Sequence, residues 1–165
     1  MKKSIFSFHR KISAFIIVLL AALVFFACNK DDPEYQAQID REIILKYIAD
    51  NDLEASEVDD TGIFYVISKQ GSGGYPTIES SVHLISMGFY FDKDDNILIF
   101  QPLASQLYVL KRQILGWQYG IPMFNRGAKG MLLIPSAYGY GPNPYYSGIP
   151  PNQVLFFDIE LIDFQ

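Results

Sequence analysis

The stretch Gly148-Ile149-Pro150-Pro151-Asn152-Gln153-Val154-Leu155-Phe156-Phe157-Asp158-Ile159-Glu160-Leu161 decides the fold. Val154 to Leu161 reads as a strand: an apolar run leads into Ile159 and Leu161, which alternate with Asp158 and Glu160, so the faces differ in polarity. Upstream, Met131-Leu132-Leu133-Ile134 reads as a second strand. Val82 to Phe91 alternates over a long third one, and Asp92-Lys93-Asp94-Asp95-Asn96 turns it into Ile97-Leu98-Ile99-Phe100. Ile63-Phe64-Tyr65-Val66-Ile67 is a further strand, closed by Gly71-Ser72-Gly73-Gly74-Tyr75-Pro76. Those glycines make a turn rather than a phosphate loop, because no Lys-Ser/Thr pair follows and Pro76 blocks an immediate helix. The pattern predicts an α+β fold built on a single antiparallel sheet with short helices.

Before the strands, Asp32-Pro33 with Glu34 suits a helix entry, and Ile39, Ile43, Ile44, Tyr47 and Ile48 recur at helical spacing up to a stop near Asn51-Asp52. Asp50 to Asp60 carries Asp50, Asp52, Glu54, Glu57, Asp59 and Asp60 and no base. It lacks the ligand spacing and the glycine of a calcium-binding EF-hand loop, so a solvated acidic linker is expected.

Met1 to Lys11 holds Lys2, Lys3, Arg10 and Lys11 without an acid, and Ile12 to Ala27 holds no charge. A basic start followed by an apolar run of this length is the pattern of an export signal. The run ends Phe25-Phe26-Ala27 before Cys28, the one cysteine of the chain, which resembles a bacterial lipobox with Cys28 as the lipidated residue. Phe25 is bulkier than the leucine usual three positions before the cysteine. Asn29-Lys30-Asp31-Asp32 resembles the surface-export signal of Bacteroidota lipoproteins, so the expected location is the outer membrane, facing the periplasm or the cell surface. Removing residues 1–27 takes away four bases and no acid, and the net charge moves from −5 to −9. That balance provides no electrostatic footprint for nucleic acid, and one cysteine excludes an internal disulfide or a Cys-cluster zinc site. At 15% aromatic residues, the 165-residue chain is too rich in rings to be disordered.

Three stretches stand in fixed order in the second half: Tyr108-Val109-Leu110-Lys111-Arg112-Gln113-Ile114-Leu115-Gly116-Trp117; Gly127-Ala128-Lys129-Gly130-Met131-Leu132-Leu133-Ile134-Pro135-Ser136-Ala137-Tyr138-Gly139-Tyr140-Gly141; and the segment from Gly148 to Leu161. Together they resemble the FKBP-type peptidyl-prolyl cis-trans isomerases, strongly from Tyr108 to Gln165 and more weakly from Thr61 to Phe100. The resemblance implies a strongly twisted antiparallel sheet wrapped on a short helix, here with an N-terminal helical extension. The expected division is a lipoprotein signal peptide over 1–27, a tether, helix and acidic linker over 28–60, and an FKBP-like domain over 61–165.

The resemblance also implies a reaction. An X-Pro bond rotates over tens to hundreds of seconds because the twisted amide has lost its resonance. An apolar, water-excluded pocket favours that twisted amide over the planar one, with no nucleophile, metal or cofactor. By the resemblance, Trp117 is the floor under the proline ring, the Tyr140 hydroxyl and the Ile114 backbone N–H hold substrate carbonyls, and Phe157, Ile149 and Phe100 close the apolar sides. Tyr145 falls on the loop that overhangs the pocket. Proline-containing polypeptides are the implied partners, with the membrane reached through lipid on Cys28. Two departures matter: Ser86 stands where the family has a tyrosine, and Gln101 where it has an aspartate. They leave a second reading open, a binding or chaperone module with weak catalysis. A glycan-binding surface built on Tyr138, Tyr140, Tyr145 and Tyr146 is a third reading, better absorbed by the pocket loop. His83, with no serine or cysteine partner in a recognisable motif, is expected to be structural.

Overall fold

A computed structural model describes residues 32–144 and 148–165. Contacts divide the chain into residues 1–35 and 36–165, and the sheet and its helices belong to the second unit, apart from the first residues of the leading helix. Helix α1 spans Pro33–Asp50, and strands β1 (Ala55–Glu57), β2 (Phe64–Lys69), β3 (Ser81–Phe91) and β4 (Ile97–Val109) follow. A short helix α2 (Leu115–Gly120), then β5 (Lys129–Ile134) and β6 (Leu155–Phe164), complete the chain. The six strands form one sheet in the order β1-β2-β5-β6-β3-β4, every neighbour antiparallel. The strand over Val154–Leu161 is therefore central, flanked by β5 and β3, as its apolar content requires.

Each face of the sheet has its own core. Against α2 lie Val82, Leu84, Tyr90, Leu132, Ile134, Phe157, Ile159 and Leu161. Against α1 lie Phe64, Val66, Phe89, Leu133, Val154 and Phe156, around Ile44. Burying a side chain of this size contributes about 1.5–3 kcal/mol, so α1 is fastened to the sheet rather than held off it.

Two differences from the sequence reading have clear causes. The acidic stretch from Asp50 to Asp60, expected as a solvated linker, contains β1, which pairs with β2 through Ala55↔Val66 and Glu57↔Phe64. Glu57 is drawn in by Arg41 of α1, whose guanidinium donates to both carboxylate oxygens at 2.7 and 2.8 Å, while Gly62 N–H donates to one of them at 2.9 Å. Strand β4 also runs on to Val109, far beyond the expected Ile97–Phe100. It is an edge strand, so Pro102 costs no ladder hydrogen bond on the open side, and its register with β3 shifts around Gly88.

Candidate functional site

The residues expected to carry function on the α2 face meet as a run of aromatic rings. Trp117 on α2 is 2% exposed and meets Phe157 of β6 at 5.2 Å between ring centres and 75°. Phe157 meets Phe100 of β4 at 5.4 Å and 89°, and Phe100 meets Tyr140 at 6.3 Å and 88°. Edge-to-face contacts of this kind add about 0.5–1.5 kcal/mol each beyond area burial. Tyr108 also meets Trp117, at 4.9 Å and 81°, and Tyr90 lies 6.4 Å from Phe100.

Glycines make this approach possible. A Cβ on Gly88 of β3 would sit 2.6 Å from Phe100 Cζ and 2.7 Å from Phe157 Cε1, so the two rings occupy the space a side chain would take. A Cβ on Gly116 would lie 2.4 Å from Ile134 Cγ2, and its absence lets α2 seat Trp117 against the sheet.

The polar groups around these rings are few. The Tyr140 hydroxyl has no hydrogen-bond partner among the described residues, and the residue is 39% exposed. Burial of the remainder raises its pKa above the ordinary tyrosine value, which keeps the hydroxyl a donor. Ile114 precedes α2 with an extended backbone at φ −56 and ψ 150, and its carbonyl accepts from Trp117 and Gln118. No acceptor meets its own N–H among the described residues. The Trp117 indole N–H is likewise buried without a partner there, at a cost of about 1–3 kcal/mol. Ile149 is buried in the same core.

The two departures turn out to be partners. Gln101 Nε2 donates to Ser86 Oγ at 2.8 Å, and Ser86 is fully buried. A neutral amide and hydroxyl satisfy one another where the family pattern expects a carboxylate and a phenol. Tyr90 does not stand out in the sequence, yet it is buried beside Phe100. Alternation from Val82 through Leu84, Ser86 and Gly88 points Tyr90 to the same face, and that signal could have found it. Tyr145 and Cys28 lie outside the described residues. His83 pairs with Ser105 at 2.9 Å and is not part of the ring run. No group of side chains suited to a metal ion occurs among the described residues.

The chain is similar to known proteins. The family model described as FKBP-type peptidyl-prolyl cis-trans isomerase matches residues 100–162. The FKBP-type peptidyl-prolyl cis-trans isomerase FkpA of Buchnera aphidicola subsp. Schizaphis graminum is 36% identical over 109 residues, 62% of this chain and 41% of that protein. FK506-binding protein 1 of Saccharomyces cerevisiae is 49% identical over 49 residues, 30% of this chain and 43% of that protein. The chain thus spans less than half the length of these curated relatives. Among solved structures, a peptidyl-prolyl cis-trans isomerase from Pseudomonas syringae pv. tomato superposes with a TM-score of 0.66 at 29% identity, covering 83% of this chain and 99% of that one. FkpA from Escherichia coli superposes with a TM-score of 0.63 at 25% identity, covering 99% of this chain and 74% of that one.

Proposed function

We propose that this chain, which matches the FKBP-type peptidyl-prolyl cis-trans isomerase family over residues 100–162, accelerates rotation about X-Pro bonds in polypeptides. The observation that carries this is the open end of the ring run: Trp117, Phe157 and Phe100 are packed, while Tyr140 is part-exposed and its hydroxyl unpartnered among the described residues. A proline ring entering beside Phe100 and Tyr140 loses water on its apolar surface. The X-Pro amide then passes through a twisted state that carries less charge separation than the planar one. An apolar wall disfavours the planar dipole more than the twisted amide, and so lowers a barrier of about 18–20 kcal/mol. Tyr140 O–H and Ile114 N–H are the donors free to hold the substrate carbonyls on either side of the rotating bond. No proton changes hands and no covalent bond forms.

In a protease-coupled assay of a proline tetrapeptide, the full chain is expected to accelerate cis-to-trans conversion. Trp117→Leu should lower kcat/KM about a hundredfold, equivalent to about 2.7 kcal/mol of transition-state stabilisation. Unaltered activity in that variant would mean the pocket lies elsewhere. The second reading, a binding module with weak catalysis, draws on the Ser86–Gln101 pair. It gains if the full chain binds proline peptides without accelerating them.

We further propose an outer-membrane lipoprotein, anchored through Cys28 and acting on exported or envelope polypeptides. The support is the basic start, the uncharged run and Ala27-Cys28, with Asn29-Lys30-Asp31-Asp32 favouring the cell surface. Among the described residues no helix is long and apolar enough to cross a membrane. Palmitate label in cells should enter the wild type and disappear in Cys28→Ala.

A further inference from the structure

Helix α1 carries one side chain that neither the family pattern nor the apolar stripe explains. Asp40 is 1% exposed, in a position flanked by the helix's apolar residues, and neither of its oxygens is idle. Oδ1 accepts from Gln36 Nε2 at 2.7 Å. Oδ2 accepts from both Ser136 N–H at 2.8 Å and Ser136 Oγ–H at 2.6 Å, across 96 positions of sequence. No cation pairs with it among the described residues. Ser136 opens the 3-10 turn Ser136–Tyr138, whose preceding residue, Pro135, has no side-chain oxygen to cap it. The carboxylate therefore caps that turn from outside, and without it the buried Ser136 N–H and hydroxyl would lack an acceptor, a costly state for buried donors.

The turn leads directly to the pocket. The Ser136 carbonyl accepts from Gly139 N–H at 3.0 Å and Gly141 N–H at 2.9 Å, the residues on either side of Tyr140. Gly141 O in turn accepts from Asn152 N–H at 3.0 Å. One residue, Ser136, is thus gripped by α1 through its N–H and hydroxyl, and grips both neighbours of Tyr140 through its carbonyl. We propose that Asp40 is a positioning residue for the isomerase pocket, holding Tyr140 at the mouth of the ring run through Ser136. Helix α1 then belongs to the catalytic unit rather than serving only as a spacer. The inference rests on Tyr140 being the pocket hydroxyl proposed above.

A double-mutant cycle tests it in the full chain. Asp40→Ala removes both acceptor oxygens, and is expected to lower kcat/KM about tenfold, as misplacement of a pocket group does, with the far-ultraviolet circular dichroism unchanged. In the Tyr140→Phe background the same substitution should change kcat/KM less than about twofold, because the group it positions is already gone. Ile44→Val, a change elsewhere on α1, should leave kcat/KM unchanged. Equal losses in both backgrounds, or no loss in Asp40→Ala, overturn the inference. If Asp40→Ala does not fold, Ser136→Ala, which removes only the hydroxyl bond, runs the same cycle with a smaller loss. If the wild type proves inactive, the isomerase reading falls, and fluorotyrosine resonances decide the positioning separately. The Tyr140 signal, assigned by its disappearance in Tyr140→Phe, moves in Asp40→Ala if the network holds and stays in place if it does not.

Discussion

On the face covered by α1, Phe156 stacks on Phe89 at 5.4 Å and 14°, with Tyr47 and Phe91 at 4.7 and 5.2 Å, and a cavity of about 420 Å³ lined by Tyr47, Phe91 and Phe156 lies where the helix end meets the sheet. On the face covered by α2, Trp117, Phe157 and Phe100 also touch ring to ring, but the run ends at the part-exposed Tyr140. The neighbours Phe156 and Phe157 belong one to each cluster, since successive residues of a strand point to opposite faces. Ring content alone therefore does not single out the candidate site. An eighteen-residue helix packs on one cluster, while the six-residue α2 supplies Trp117 to the other, whose last ring, Tyr140, carries a hydroxyl that faces no partner among the described residues.

The sharpest way to break that distinction is Phe156→Ala. It should lower the unfolding free energy in urea by about 3–5 kcal/mol while leaving kcat/KM per folded molecule unchanged; a matching loss of activity would show that ring packing on the α1 face, and not only the Asp40 contact, governs the site. Gly88→Ala comes next. Its new methyl must displace Phe100 or Phe157, so thermal unfolding should register a loss of about 1–3 kcal/mol, accompanied by lower isomerase activity. Tyr140→Phe separates function from stability: kcat/KM should fall about tenfold, near 1.4 kcal/mol, with stability shifted by no more than about 0.5 kcal/mol. Burial raises the Tyr140 pKa, so the wild-type rate should hold on the alkaline side to about pH 10, the ordinary tyrosine value.

The smallest effect concerns Asp158, on the α1 face of β6 between Met87 and Met131. Desolvation raises its pKa, so the folded chain binds this proton more tightly than the unfolded chain does. Its contribution therefore diminishes as pH rises from about 4, the unfolded value, through the folded one. Asp158→Asn should flatten that decline in urea titrations across the pH range and gain no more than about 1 kcal/mol at neutral pH. A steeper decline in the variant would show that another group governs the slope.

Alternation and turn residues made most of the sheet legible. The strands at Phe64–Lys69, Ser81–Phe91, Lys129–Ile134 and Leu155–Phe164 lie where apolar runs stand between turns. Strand β1 was hidden because its acids look solvated until Arg41, sixteen residues earlier, is brought alongside Glu57. The far half of β4 was hidden because an edge strand need not alternate, and Leu103 and Leu107 are exposed. Ile43 looked like part of the packing stripe of α1, yet it is exposed and Asp40 is buried instead. Helical spacing marks a face, but it does not reveal which polar side chain on that face has a distant donor waiting for it. Trp117, Phe157, Phe100 and Tyr140 were named from motif context, and they share one run of contacts.

The sequence by itself determined the main strands along the chain and the helical run of α1, because these are properties of local period and residue type, while the resemblance of its motifs to a known family pointed to the aromatic residues of the candidate site. Only the tertiary structure decided that Gln101 satisfies Ser86, that Gly88 yields its space to two rings, and that Asp40 reaches Ser136 across 96 positions. Those are encounters between distant segments. Their energies come from desolvated polar groups finding partners and from rings filling space, and neither exists until the chain has closed on itself.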